Sequence, residues 1–121
     1  LEGCLLRRCY FAPTFQKHHG QLCSGVQIHT DHAAYRPERF HPYRLGALLL
    51  KAIRLEYPEY QLWHRLEYEY ERERLAIDLL SGGTFLREWV DDASAQAGDF
   101  EKRLRADEQA WADIRRPFVI Y

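Results

Sequence analysis

The chain has 121 residues, of which 46% are hydrophobic and 29% are charged, and its formal net charge is -1. This length fits one domain with one hydrophobic core, and the composition excludes an intrinsically disordered chain. The near-neutral charge provides no basic face for nucleic acid, and no apolar run approaches the roughly 20 residues of a membrane span.

The first 30 residues predict two β-strands joined by a polar loop. Leu5–Phe11 is an apolar run that ends before Pro13, which lacks the N–H that a β-ladder requires. Thr14–Gln21 is predicted to be loop, and Leu22–Thr30 alternates in the manner of a half-buried strand. We therefore expect two strands that hold the loop rigidly as a binding surface.

The first helix is expected to begin near Pro42, after a polar connection over Thr30–His41. Lys51 and Arg54 lie off its apolar stripe, and Pro58 ends it. The stripe repeats at helical spacing and comprises Leu45, Leu48, Leu49, Ala52 and Ile53. This pattern predicts a helix that packs its leucine face on the core.

The next segment predicts one more strand and two short helices. Leu62–Glu73 alternates apolar or aromatic residues with glutamates, which favours a strand with a solvated acidic face. A helix is the alternative here, because Leu, Glu and Arg also favour helices. Leu75–Leu80 predicts a short helix, and Thr84 is the expected N-cap of another over Phe85–Val90.

Asp99 is the expected cap of a last helix, which Pro117 ends. Its apolar stripe comprises Phe100, Leu104, Trp111 and Ile114. The tail over Phe118–Tyr121 is expected to dock as an edge strand or against the core. Strands first and helices later predict an α+β fold, with a small antiparallel sheet packed against three to four helices in a single domain over residues 1–121.

The three cysteines cannot all pair within one chain. Cys4 and Cys9 are an odd number of positions apart, so on one strand they would face opposite sides. A bridge from Cys23 to Cys9 or to Cys4 across neighbouring strands stays open, but we favour three buried free thiols. Cysteine usage alone therefore does not assign a redox compartment.

Two reactive sites near the loop are weighed and not favoured. His18, His19, Cys23 and His29 are zinc-ligand types, but their spacing is not that of a zinc finger and adjacent histidines rarely bind one ion. A nucleophile pair of Cys23 with His29 or His18 lacks any protease signature. We expect no metal, no cofactor and no catalytic residue in this chain.

Glycoside hydrolysis needs two carboxylates about 5 to 10 Å apart in a cleft. Glu67, Glu69 and Glu71 meet that spacing on the predicted strand, but so do surface glutamates on most strands. We interpret them as a charged outer face, while Asp31 and Glu38 stay open. The Ser-Gly-Gly-Thr segment lacks the lysine and glycine spacing of a phosphate-binding loop.

Four blocks of sequence follow one another in a characteristic order. They are the loop and strand Tyr10–His29; Phe40–Gly46 before the leucine-rich helix; Tyr68–Tyr70 with Ala76–Gly82; and Trp111 with the aromatic and aliphatic ending. This order resembles the C-terminal lobe of bacterial exo-β-N-acetylmuramidases, a glycoside hydrolase family. The chain departs from the pattern by a few extra residues around Tyr35–Arg39.

The resemblance implies an auxiliary domain that helps to form a substrate cleft and is not catalytic alone. In such enzymes a larger, Rossmann-like N-terminal lobe carries the catalytic acids, and terminal N-acetylmuramic acid is removed from peptidoglycan fragments. The implied partners are those fragments and the N-terminal lobe, without nucleic acid, and the implied location is periplasmic or extracellular. The chain contains no Met, and we expect it to be a fragment or an excised domain.

Five residues could recognise the sugar. Thr14, Gln27 and His29 offer directional hydrogen-bonding groups, Lys17 can pair with the lactyl carboxylate, and Phe15 offers an aromatic face. The alternatives are a role in the turn for Thr14, a solvated Lys17, a core position for Phe15, and hydrogen bonds to the strand backbone for Gln27 and His29. The alternative function is a structural or protein-interaction domain on the same scaffold, with the loop as its docking patch.

Overall fold

The computed structural model describes residues 2–65 and 68–120. Within these residues it contains one two-stranded antiparallel sheet and four α-helices, which confirms the α+β class. The chain divides into two compact units, Leu1–Pro42 and Tyr43–Tyr121. In the part of the chain that the structure describes, no helix is both long and apolar enough to cross a membrane.

The first unit is built on a β-hairpin. Strand β1 covers Leu5–Phe11 and strand β2 covers Cys23–His29, and the pairing runs from Leu5 opposite His29 to Phe11 opposite Cys23. The first predicted strand is confirmed, and the second is confirmed with one residue fewer at each end. The antiparallel register closes a loop of residues 12–22, which we call the polar loop.

The segment before β1 lies against the connection that follows β2. The backbone N–H of Arg36 donates to the carbonyl of Gly3 at 2.9 Å. Gly3 has a φ of +86°, and a Cβ built there would lie 2.6 Å from the Arg36 carbonyl oxygen and 2.7 Å from the Phe40 nitrogen. Only glycine fits this close approach, because any side chain would meet backbone atoms.

The second unit is helical and holds an aromatic core. The helices are α1 (Pro42–Glu56), α2 (Ala76–Leu80), α3 (Phe85–Asp91) and α4 (Ala97–Arg115), followed by a 3₁₀ turn over Arg116–Phe118. Phe100 of α4 packs with its ring centroid 4.5 Å from Trp89 and 5.6 Å from Phe85. The buried core cluster comprises Ala47, Leu86, Trp89, Val90 and Phe100.

Helix α1 has the predicted bounds, but its buried face is rotated from the prediction. Lys51, which was expected off the apolar stripe, is only 6% exposed, while Ile53 is exposed. The Lys51 ammonium donates to the carbonyl of Trp89 at 2.8 Å and to that of Asp92, and it lies 5.0 Å from the centroid of the Trp89 ring. A buried cation is stable here because the carbonyls at the end of α3 have no partner within their own helix.

The predicted strand over Leu62–Glu73 is wrong in the residues that the structure describes; Leu66 and Glu67 lie outside them. Tyr68 and Glu71 form an isolated β-bridge that closes a tight turn, with Glu69 at a φ of +54°. The Glu71 carboxylate accepts hydrogen bonds from the N–H groups of the next residues, which competes with a β-ladder. The alternation of glutamates therefore belongs to a turn.

The predicted cap position of α3 is confirmed, and the predicted cap of α4 is corrected. Thr84 occupies the N-cap position of α3 but makes no side-chain capping bond. Helix α4 begins two residues before Asp99, whose carboxylate accepts a hydrogen bond from the Gln96 N–H at 2.8 Å. Asp99 thus stabilises the helix start from its third position, since a carboxylate there satisfies a free backbone donor.

The final apolar residues do not dock as expected. Phe100 is buried and Leu104 is half-buried, but Trp111 and Ile114 of the predicted stripe are exposed. The tail residues Phe118–Ile120 are exposed as well, so docking is wrong for these residues; Tyr121 lies outside the described ones.

Candidate functional site

The polar loop is ordered by hydrogen bonds within its own backbone. The Gly20 N–H donates to the Pro13 carbonyl at 3.0 Å, and the Gln21 N–H donates to the His18 carbonyl at 3.0 Å. The His19 N–H donates to the Gln16 carbonyl at 3.3 Å. These bonds and the paired strands at both ends fix the loop backbone, and a side-chain hydrogen bond between His18 Nδ1 and Gln21 Oε1 at 3.3 Å adds to them.

Two residues of the loop have a left-handed backbone that is unusual outside glycine. Gln16 has a φ of 58° and His18 a φ of 59°, and they flank Lys17 on either side. Such conformations cost on the order of 1 kcal/mol each and concentrate at ligand-binding and catalytic sites. The loop therefore combines internal order with local strain around Lys17.

The structure places four of the five predicted site residues on the surface. Thr14, Phe15 and Lys17 are exposed in the loop, with Phe15 69% exposed, and Gln27 is exposed on β2. Among the residues described, the side chains of Thr14, Lys17 and Gln27 form no hydrogen bond or ion pair, so their polar groups are available to a ligand. The alternatives of a turn bond for Thr14 and of a backbone bond for Gln27 are wrong, whereas the exposed Lys17 side chain agrees with its solvated alternative.

His29 lies in a different environment. Its side chain is 19% exposed, and its Nδ1 lies 3.5 Å from a carboxylate oxygen of Asp31. Its Nε2 is buried and has no hydrogen-bond partner in the described part of the chain. A buried polar atom without a partner costs about 1 to 3 kcal/mol.

The strand register adds a residue that the sequence did not indicate. Arg7 of β1 pairs with Gln27 of β2, and Leu5 pairs with His29. Paired residues share a face, so Arg7, Gln27 and His29 lie on one side of the hairpin. Arg7 is exposed, and it adds a guanidinium to the face that carries Gln27. The sequence could not reveal this pair, because the length of the loop alone does not set the register.

The alternatives based on histidine and cysteine find no support in the geometry. Cys23 and His29 stand at opposite ends of β2, about 20 Å apart at the usual strand rise. The Cys23–His29 nucleophile pair is therefore wrong. Across residues 2–65 and 68–120, no group of three or more His, Cys, Asp or Glu side chains could hold a metal ion. The three cysteines are free and half-buried.

Among the candidate carboxylates that the structure describes, which do not include Glu67, Glu71 is held in its ionised state. The Glu73 N–H and the Arg74 guanidinium hold the Glu71 carboxylate and lower its pKa to about 2. A general acid requires the opposite shift, towards neutral pH. Asp31 contacts His29, and Glu38 is exposed.

The comparisons with known proteins agree with the resemblance seen in the sequence. Residues 1–121 match the family model of the exo-β-N-acetylmuramidase NamZ C-terminal domain. The chain is 29% identical over 125 residues to the peptidoglycan β-N-acetylmuramidase NamZ of Bacillus subtilis. The alignment covers 100% of this chain and 26% of that relative, and no solved structure matches significantly. The chain therefore belongs to the family of NamZ exo-β-N-acetylmuramidase C-terminal domains.

Proposed function

We propose that this domain supplies substrate-binding groups to a peptidoglycan exo-β-N-acetylmuramidase and is not catalytic on its own. The substrate would be a peptidoglycan fragment that ends in N-acetylmuramic acid, and the catalytic acids would lie on the N-terminal lobe. The chain spans 26% of the length of the curated relative that it matches, which leaves room for such a lobe in the whole protein.

The observation that carries the proposal is the set of free polar side chains on the ordered hairpin. N-acetylmuramic acid differs from other amino sugars by its lactyl carboxylate. Lys17 on the polar loop and Arg7 on β1 are exposed cations on the same hairpin. Either can form a charge-assisted hydrogen bond with that carboxylate.

The remaining groups suit the uncharged part of the sugar. Thr14 and Gln27 provide donors and acceptors for hydroxyl and acetamido groups, and Phe15 exposes a ring on which a pyranose face can stack. Because the backbone of the loop is already hydrogen-bonded internally, binding would order few additional dihedral angles. This preorganisation favours a role in recognition.

The absence of catalysis in the isolated domain is supported by the state of Glu71. Glu71 is held ionised by its hydrogen bonds, with a pKa of about 2, so it cannot donate a proton at neutral pH. We expect residues 1–121 alone to release no product from a chromogenic N-acetylmuramic acid glycoside. Turnover that disappears when one carboxylate of this chain is mutated would contradict the assignment.

Kinetics of the full-length enzyme test the binding role. We expect Lys17→Ala and Gln27→Ala each to lower kcat/KM for the muramic acid substrate, about tenfold or more for Lys17, because a charge-assisted hydrogen bond contributes about 1.5 to 3 kcal/mol. Lys102→Ala is the matched control, since Lys102 is exposed on α4. Unchanged kinetics in both loop variants, with unchanged melting temperatures, would remove the loop from the site.

A protein-docking role for the loop predicts different results for the same protein and variants. Calorimetry with muropeptide fragments would then show no heat of binding. A loop variant would lose a protein partner and leave glycan turnover intact.

A further inference from the structure

The second unit contains a pocket of about 460 Å³ that the proposed function does not use. Its lining comes from the end of α1, the turn after it and the end of α3, and comprises Arg54, Leu55, Pro58, Asp91 and Ala93. We infer that this pocket binds an uncharged sugar that carries an acetamido group. The inference is independent of the hairpin, because every lining residue belongs to the second unit.

The two charged residues of the lining hold each other in place. Arg54 Nε donates to Asp91 Oδ1 at 2.9 Å, and Arg54 Nη1 donates to the carbonyls of Pro58 at 3.0 Å and Tyr60 at 2.9 Å. The indole N–H of Trp63 lies 2.9 Å from Asp91 Oδ1 and 2.8 Å from Oδ2, and donates to both. Both charged side chains are thus oriented before a ligand arrives, which lowers the entropic cost of binding.

These bonds leave hydrogen-bonding capacity on both members of the pair. A guanidinium has five N–H donors, and the two on Arg54 Nη2 have no partner among the described residues. A carboxylate offers about four acceptor positions, and within the described residues Asp91 accepts from Arg54 and Trp63. A donor beside an acceptor suits an amide, whose carbonyl accepts from the guanidinium while its N–H donates to the carboxylate.

The charges of the lining favour an uncharged ligand. Arg54 and Asp91 are the charged residues among those that line the pocket, and their charges cancel. Glu56 and Glu59 lie next to the lining in the sequence and repel an anion, but both are exposed, so their attraction for a cation is screened by solvent. A charged ligand would lose hydration without gaining a free counter-charge.

The apolar walls and the neighbouring rings indicate what carries the amide. Leu55, Pro58 and Ala93 offer apolar contact to a methyl group. Tyr57 and Tyr60, on either side of Pro58 in the sequence, are exposed and present aromatic faces on which a pyranose can stack. An acetamido sugar combines the methyl, the amide and the pyranose. The volume of about 460 Å³ lies within the range of roughly 300 to 1,000 Å³ that is typical of small-molecule sites.

The indole N–H of Trp63 gives a direct signal, because it is bonded to Asp91. We would titrate the isotopically labelled 121-residue chain with N-acetylglucosamine, glucose, glucuronate and protonated glucosamine, and follow the indole N–H resonances by NMR. The Trp63 resonance is expected to shift in a saturable manner with N-acetylglucosamine, more weakly with glucose, and not with the two charged sugars.

The other two tryptophans are internal controls. The Trp89 indole N–H is bonded to the Gln96 carbonyl at 3.0 Å and should not shift, while Trp111 is exposed on α4 and detects non-specific stacking of sugars. No shift of Trp63 with N-acetylglucosamine, or a shift no larger than that of Trp111, would overturn the site. Equal binding of glucose would overturn the acetamido assignment, and tighter binding of either charged sugar would overturn the uncharged ligand.

Two variants and one control connect the signal to the pocket. Ala93→Phe, at an exposed position, places a ring in the pocket and should abolish the saturable shift of Trp63. Ala106→Phe, at an exposed position of α4, is the matched control and should bind as the parent does. Asp91→Asn, with folding checked by its melting temperature, should weaken binding about tenfold because its acceptor loses its charge. Parent-like binding by Ala93→Phe or by folded Asp91→Asn, or an equal loss in Ala106→Phe, would contradict the inference.

Discussion

The buried lysine of α1 yields the sharpest stability prediction. Lys51 is 6% exposed, and its ammonium donates to backbone carbonyls of α3 and of the residue after it. We consider Lys51→Met, which keeps a long unbranched side chain and removes the charge and its three donors. The change isolates the ammonium from the packing of its stem.

The expected change in the free energy of unfolding follows from the hydrogen bonds that the carbonyls lose. Hydrogen bonds to a charged group contribute about 1.5 to 3 kcal/mol, and carbonyls left without a donor in a buried place lose that stabilisation. The cation also lies 5.0 Å from the Trp89 ring centroid, a contact that typically contributes about 0.5 to 2 kcal/mol. Methionine recovers part of this through the free energy of burying an apolar group, so we expect a net loss of about 2 kcal/mol.

Chemical and thermal unfolding of the 121-residue chain measure this loss. A decrease of about 2 kcal/mol corresponds to a melting temperature lower by roughly 8 to 16 °C in a unit of this size. Lys102→Met on the exposed face of α4 is the control and should change stability by less than about 0.5 kcal/mol. A Lys51→Met chain as stable as the parent would refute the reasoning that the ammonium stabilises the end of α3.

Two further predictions concern Gly3 and Glu71. Gly3→Ala should destabilise the first unit because its Cβ would lie 2.6 Å from the Arg36 carbonyl oxygen at a φ of +86°, whereas Gly98→Ala, which meets no atom within 4 Å, should not; equal melting temperatures would contradict this. The Glu71 carboxyl should titrate near pH 2 by carbon-detected NMR, since the Glu73 N–H and Arg74 stabilise its charged form. The stabilisation from ionised Glu71 is then complete above the unfolded pKa of about 4.3 and is lost as the pH falls towards 2. Glu71→Gln should remove this part of the pH dependence of stability. A titration midpoint of the Glu71 carboxyl near pH 4.5 would contradict the prediction.

Local sequence signals predicted the elements whose causes are local. Pro13 ended the first strand, and Pro42 and Pro58 bracketed α1, because proline acts on the backbone next to it. The strand prediction for Leu62–Glu73 was wrong because another local effect opposed it. Its alternation imitated a strand, while the Glu71 side chain captures the backbone donors that a strand would need.

Features that depend on contacts between distant parts of the chain could not be predicted from the sequence. Lys51 has the polarity of a surface residue, and its burial is explained by the carbonyls at the end of α3, which accept hydrogen bonds from its ammonium. The candidate site shows the same limit: Lys17 and Gln27 could be chosen by residue type, whereas Arg7 required the strand register.

The most direct measurement of the central claim is the affinity of the full-length enzyme for N-acetylmuramic acid and for N-acetylglucosamine, which lacks the lactyl carboxylate. If the hairpin reads that carboxylate, Lys17→Ala raises the Kd for N-acetylmuramic acid about tenfold or more. The Kd for N-acetylglucosamine stays constant, and Lys102→Ala changes neither affinity. An unchanged Kd for N-acetylmuramic acid in Lys17→Ala would contradict the account.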